Sequence, residues 1–194
     1  MSTAVLLDRV THTYTTTNDK LLPGVTQILD GNGCVDHFGF SDETRARGTY
    51  VHEATVIIDR GERLANVPIE YEPFITAYRR FVRDMQPVWS RSEEVVADLI
   101  NGYAGTLDRA GLVQGVPVVV DIKTGEVPPS VGPQTAAYVR CLPDAHRWQR
   151  YCLQLRPDGQ YRWLPLADKA DHAVFLAALT LYRWKERYRV GAFA

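Results

Sequence analysis

A chain of 194 residues, 45% apolar and 23% charged, has the balance of an ordinary soluble globular protein, and its length suits one compact domain spanning 1–194. Its net charge of −1 offers no whole-molecule field for a polyanion, so any nucleic-acid contact must come from a local patch. Cys34, Cys141 and Cys152 are odd in number, far apart and without CxxC spacing, no apolar run approaches the roughly 20 residues of a membrane span, and MSTAVLLDRV has no basic n-region; a reducing cytoplasm is expected, without disulfides or membrane association.

In chain order, VTHTYTT has the β-branched and aromatic content of a strand, Asn18-Asp19-Lys20 supplies a turn, and Leu21-Leu22 returns as a second strand. VTQILD begins a short helix, and Gly31, Gly33 and Gly39 mark a loop after it. Ser41 is an N-cap with Asp42 and Glu43 in the first turn, and Ala46, Tyr50, Val51, Ala54 and Ile58 recur at helical spacing, which predicts a helix over 42–59. Phe74, Ala77, Tyr78, Phe81, Val82 and Met85 predict a second. From about 93 the texture becomes strands: EEVVADLI, YAGTLDRAGLV and VPVVVDIK, separated by Asn101-Gly102 and Gln114-Gly115. A helix over 133–142, a hairpin turned by Pro157-Asp158-Gly159 and a long helix over 168–190 follow, the last burying Ala170, Ala173, Val174, Ala177, Ala178, Leu181 and Trp184. The expected architecture is α/β, a mixed central sheet of four or five strands flanked by helices, with the site at one sheet edge where the meander strands diverge.

The polar end of the apolar run Val116–Val120 is where chemistry concentrates. Asp121 and Lys123 are two apart in a strand and share a face, and Asp108 in the preceding strand approaches Asp121 across the hairpin. Two close carboxylates repel, which favours a divalent cation between them, and hard oxygen ligands suit Mg²⁺ or Mn²⁺. Such an ion polarises a phosphoryl oxygen and acidifies a bound water, while Lys123 orients that water or stabilises developing charge; phosphodiester hydrolysis is the natural reaction class.

These residues resemble a known family. Gly48 to His52 in RGTYVH, Gly105 to Asp108 in GTLD, Asp121 to Lys123 in DIK and Gln134 to Tyr138 in QTAAY reproduce, in order, the GxxxH helix, G-x-x-D strand, (D/E)xK strand and Q-x-x-x-Y helix of the RecB-like branch of PD-(D/E)xK nucleases. The opening HTYTTTNDKLLPGVTQIL looks like the N-terminal segment of phage-encoded members.

The resemblance implies a restriction-endonuclease-like core. It makes His52 a metal ligand, Asp108 and Asp121 the metal carboxylates with the Ile122 carbonyl joining them, and Lys123 the residue that positions the attacking water. Family members carry a further glutamate near Glu93 and Glu94; the strand pattern does not decide which points inward, and Glu94 is the favoured candidate. Gln134 and Tyr138 share a helical face and reach DNA or brace the site, and Arg45 and Arg47, flanking the GxxxH turn, contact phosphates. The cysteines do not reproduce the four that hold an iron–sulfur cluster in the CRISPR adaptation relative, so no cluster is expected. The implied activity is Mg²⁺-dependent DNA cleavage, with Mn²⁺ substituting: an exonuclease of phage-style recombination or repair, with a strand-annealing partner protein. The alternatives are a structure-specific or nicking endonuclease and a non-cleaving DNA-binding module. Oligomeric state is left open.

Overall fold

The computed structural model describes residues 4–8, 10–35 and 41–189, so Gly39 of the expected loop and Val190 of the expected last helix lie outside the described residues. The chain opens on a three-stranded antiparallel sheet of β1 (Val5–Asp8), β2 (Thr13–Thr16) and β3 (Leu21–Leu22). The expected hairpin is β2 and β3; β1 is additional. Asp8 Oδ1 accepts the backbone N–H of Val10 at 2.8 Å, which turns the chain between β1 and β2 and takes Val10 to His12 out of the strand.

Three helices follow, α1 (Val25–Asp30), α2 (Asp42–Asp59) and α3 (Glu72–Met85). At the start of α2, Ser41 Oγ accepts the Thr44 N–H at 3.1 Å and Thr44 Oγ1 accepts the Ser41 N–H at 2.8 Å, a reciprocal cap that satisfies two donors the helix leaves unpaired. Asp42 and Glu43 add favourable charge in the first turn. Helix α3 buries Phe74, Ile75, Tyr78 and Phe81, each stabilising by roughly 1.5–3 kcal/mol on the scale of buried large side chains.

The central sheet has the order β4-β5-β6-β7-β8, with β4 (Val88–Asp98), β5 (Tyr103–Val113) and β6 (Val116–Lys123) as the expected antiparallel meander. Strand β6 then pairs in parallel with β7 (Gln149–Leu155), a geometry that requires a crossover; α4 (Val131–Arg140) and a short 3₁₀ turn at Ala145–Arg147 provide it. Strand β8 (Tyr161–Pro165) closes the sheet antiparallel to β7, and α5 (Asp171–Arg189) completes the described chain. The sheet is therefore mixed, and helices cover both faces. One core cluster joins Val25, Leu107, Val119, Tyr138 and Phe175, from α1, α4, α5 and the sheet; another joins Val51, Phe74, Phe81, Val118, Val120 and Ile122, from α2, α3 and the opposite face. The small sheet packs Tyr14 and Leu22 on Ala104 of β5. No helix among the described residues is long and apolar enough to cross a membrane.

Helix α5 buries a different face from the one its periodicity suggested. Phe175, Ala178 and Leu179 are buried and Tyr182 packs beside them, whereas Val174, Leu181 and Trp184 are exposed. Both stripes have helical spacing, so periodicity alone could not choose between them. The choice goes to the stripe carrying Phe175, whose ring packs edge-on against Tyr103 at 4.8 Å.

Candidate metal centre

The site forms where β5 and β6 part. Their pairing ends at Arg109↔Val120, and Asp108 is the next residue of β5. Its Oδ2 accepts the Ile122 N–H at 2.6 Å, doing for β6 what a strand carbonyl would have done had the ladder continued. Alternation breaks at the same point: Leu107 joins the cluster with α4, while Arg109, two residues on, reaches Thr55 and Asp59 of α2. Asp108 thus lies in the gap between strands, almost fully buried.

Asp121 and Lys123 enter from β6. Val118, Val120 and Ile122 pack under α2 and α3, so the two alternating polar residues turn to the α4 side. Lys123 Nζ lies 2.8 Å from Asp121 Oδ2. Asp121 is 2% exposed, and beyond this ion pair neither carboxylate oxygen takes a hydrogen bond among the described residues. A buried carboxylate without donors is costly unless another cation compensates it.

His52 comes from the middle of α2, which carries it over the same gap. Its Nδ1 lies 3.2 Å from Glu93 Oε1 and 3.7 Å from Asp108 Oδ1, and its Nε2 lies 3.1 Å from the Ile122 carbonyl oxygen. His52, Glu93 and Asp108 offer ligand atoms within 4.8 Å of one another.

The glutamate at the site is Glu93, and this corrects the expectation of Glu94. In the β4–β5 register, Ser92 pairs with Arg109 and Glu94 with Leu107, which sets Glu93 opposite Asp108. Glu94 instead pairs with Arg91 on the surface. The backbone of Glu93 is left-handed, with φ of 48°, a conformation no strand pattern foretells and one that non-glycine residues adopt at a cost.

The electrostatics follow from this crowding. Burial pushes Asp108 up to about 6; His52 and Lys123 pull against that rise, and Asp121 adds to it. Burial opposes charge on His52 as well, but Asp108 and Glu93 outweigh it and raise the imidazole to about 9. Burial would raise Glu93, yet the His52 hydrogen bond and the His52 and Arg109 charges hold it below the ordinary carboxylate range. Burial disfavours the Lys123 ammonium, but Asp121 and Asp108 keep it above the usual lysine range.

The remaining expected residues spread outward. Tyr138 is buried at 3% exposure, which corrects its expected contact with DNA: its ring is the atom group a side chain at Gly105 would strike, at 2.6 Å. Two of the sequence motifs are therefore one packing contact. Gln134, half-buried, donates Nε2 to the Tyr138 hydroxyl at 3.2 Å. Arg47 donates Nε to Thr124 Oγ1 at 3.3 Å, just beyond Lys123, with its guanidinium carbon 5.1 Å from the centre of the Phe74 ring. Arg45 is exposed one helical turn from the cap, 3.8 Å from Asp42. Arg109 was missed by sequence reasoning; an arginine directly after Asp108 in the otherwise apolar strand segment LDRAGLV was the available signal.

The donors that lie together fit a hard divalent cation: carboxylate oxygens from Glu93 and Asp108 and the His52 imidazole, with the Ile122 carbonyl beside the ring; Asp121 stands outside that cluster, paired only with Lys123 among the described residues. The chain matches no protein-family model and no curated protein by sequence. Its fold is similar to the crystal structure of an alkaline exonuclease, LHK-Exo, from Laribacter hongkongensis, with 15% identity and a TM-score of 0.48 over 87% of this chain and 89% of that one. The same exonuclease in complex with dAMP gives 14% identity and a TM-score of 0.42 over 88% and 90%. At these scores the functional reading rests on the site itself.

Proposed function

We propose that this chain is a metal-dependent deoxyribonuclease of the RecB-like PD-(D/E)xK branch, acting from DNA ends. One observation carries the reading: Glu93, Asp108 and His52 converge where β5 and β6 part, and a further carboxylate, Asp121 of β6, is buried with only the half-buried Lys123 ammonium paired to it among the described residues. Mg²⁺, or Mn²⁺ in its place, held by His52, Glu93, Asp108, Asp121 and the Ile122 carbonyl, would polarise the scissile phosphate and acidify a water.

The protein's own groups define the rest. Lys123 is protonated throughout the neutral range, and an ammonium donates without accepting. It therefore orients the attacking water and steadies charge on the phosphate, and does not act as the base. Water adds to phosphorus, losing one proton to solvent, as the P–O3′ bond breaks, leaving a 5′-phosphate and a 3′-hydroxyl; the departing oxygen takes its proton from solvent. Arg47, fixed against Thr124, lies where a neighbouring phosphate would pass, and Arg45 adds charge one turn away. Gln134 and Tyr138 brace the site from behind. Action on ends, and a role in recombination or repair with a strand-annealing partner, extend the sequence resemblance and are part of the proposal.

The test is cleavage of end-labelled linear, closed circular and single-stranded DNA with Mg²⁺, Mn²⁺ or EDTA. Linear DNA should shorten from its ends with either metal, circles should survive, and EDTA should stop the reaction. Nicked or linearised circles would make the enzyme an endonuclease on the same core. Lys123→Ala should lower the rate by about 10²–10³-fold while DNA binding persists, the range for removing one charge-stabilising donor. Undiminished cleavage in EDTA or in that variant would overturn the metal–lysine reading.

A further inference from the structure

Arg109 is fully shielded from solvent, and the chemistry proposed above does not use it. Its guanidinium is nevertheless shared among the segments that carry the ligands. Nε donates to Asp59 Oδ2 at 2.7 Å, Nη2 to Thr55 Oγ1 at 2.7 Å, and Nη1 both to the Asp108 carbonyl at 2.7 Å and to Glu93 Oε1 at 3.2 Å. Thr55 Oγ1 in turn donates to the His52 carbonyl at 2.7 Å. Asp59, which also accepts the Tyr78 hydroxyl at 2.7 Å, already neutralises the buried charge. The bonds to Glu93 and the Asp108 carbonyl exceed what charge balance requires.

We infer that Arg109 is a positioning residue that presents Glu93 to the cation, an assignment that rests on the metal-dependent reading. Glu93 has a left-handed backbone, which persists only where its surroundings over-determine it. Arg109 Nη1 and His52 Nδ1 both hold the same oxygen, Oε1. That leaves Oε2 without a hydrogen bond among the described residues and available as a ligand. An outer partner that orients a ligating carboxylate commonly changes metal affinity by about 10–100-fold when removed. Here the partner is a fork with three fixed directions, which a lysine cannot copy.

A double-mutant cycle on Mn²⁺ affinity, read by calorimetry on the full chain, tests this. Arg109→Lys and Glu93→Gln should each weaken Mn²⁺ binding by about tenfold or more, and the double variant should bind within about twofold of Glu93→Gln, because the arginine acts through that carboxylate. Melting temperatures in EDTA separate this coupling from loss of fold. If Arg109→Lys fails to fold, Arg109→Gln combined with Asp59→Asn removes both charges of the buried pair and takes its place in the cycle. Independent effects that multiply in the double variant would overturn the inference while leaving the metal site standing. Absence of Mn²⁺ binding by the unmodified chain would overturn the metal reading itself, and this inference with it.

Discussion

Both ring nitrogens of His52 face acceptors, Glu93 on one side and the Ile122 carbonyl on the other, which is the environment of an imidazolium. A cation ligated by this ring must displace a proton held up to a pH of about 9. Mn²⁺ affinity should therefore rise by about tenfold per pH unit from neutrality and level off near the raised value, with one proton released per ion bound; calorimetry in buffers of different ionisation enthalpy reads both. A flat affinity across that range would remove His52 from the ligand set. The stability linkage has a definite sign. Because the folded-state value is raised above the ordinary 6.5, the contribution of His52 is full below 6.5 and is lost as pH rises through about 9. Asp108, raised from 3.8 to about 6, acts the same way in a lower window: the folded carboxyl holds its proton more tightly, so its contribution fades as pH rises through about 6. In EDTA, melting temperature should thus fall between pH 6.5 and 9, and the fall should be reduced in His52→Gln.

At the scale of elements, Gly48 sits in mid-helix one turn before His52, and a Cβ built there would meet none of the described residues within 4 Å. A helix-interior glycine costs about 0.8–1.0 kcal/mol relative to alanine, and no packing among the described residues repays it. The open face beside His52 and Arg47 is where substrate backbone would run in the proposed complex. Gly48→Ala should raise stability by about 1 kcal/mol in denaturant melts yet increase KM for DNA several-fold. Stabilisation with unchanged KM would leave no role for this surface in binding. The helices, meander and hairpin were legible because each has strong local signals: the Ser41 cap, the stripe from Phe74 to Phe81, the Asn101-Gly102 and Pro157-Asp158-Gly159 turns. The three residues Asp108, Asp121 and Lys123 were legible as a set because a polar end on a buried strand is unusual. Three features were not legible. The buried face of α5 depends on which of two apolar stripes meets Tyr103; the inward glutamate depends on a left-handed residue; and β1 depends on an Asp8 turn that ends the strand early. Each is a tertiary or single-residue backbone event that a period of 2 or 3.6 does not encode.

For the whole molecule, the two core clusters lie on opposite faces of one sheet and share β6, whose Val119 serves one and whose Val118 and Val120 serve the other. Neither can melt without exposing the back of the other, so residues 1–194 are proposed to unfold as one cooperative domain. The tryptophans report this directly. Trp89 and Trp163 pack against the α2–α3 cluster, Trp148 against the α4–α5 cluster, and Trp184 is exposed. Fluorescence and far-UV circular dichroism should give one coincident urea transition; two transitions would divide the chain. The proposed metal centre adds a second expectation, because its candidate ligands come from α2, β4, β5 and β6 and come together only in the folded state. At Mn²⁺ about 100-fold above its dissociation constant, binding should stabilise the fold by about 2.7 kcal/mol, or about 5–11 °C in melting temperature for a chain of this size. The shift should appear in the single transition and vanish in Asp108→Asn. Since Asp108 Oδ2 also accepts the Ile122 N–H, that variant must be checked first in EDTA. A melting temperature there close to that of the unmodified chain assigns the lost shift to metal; persistence of the shift in Asp108→Asn would mean that the ion binds elsewhere.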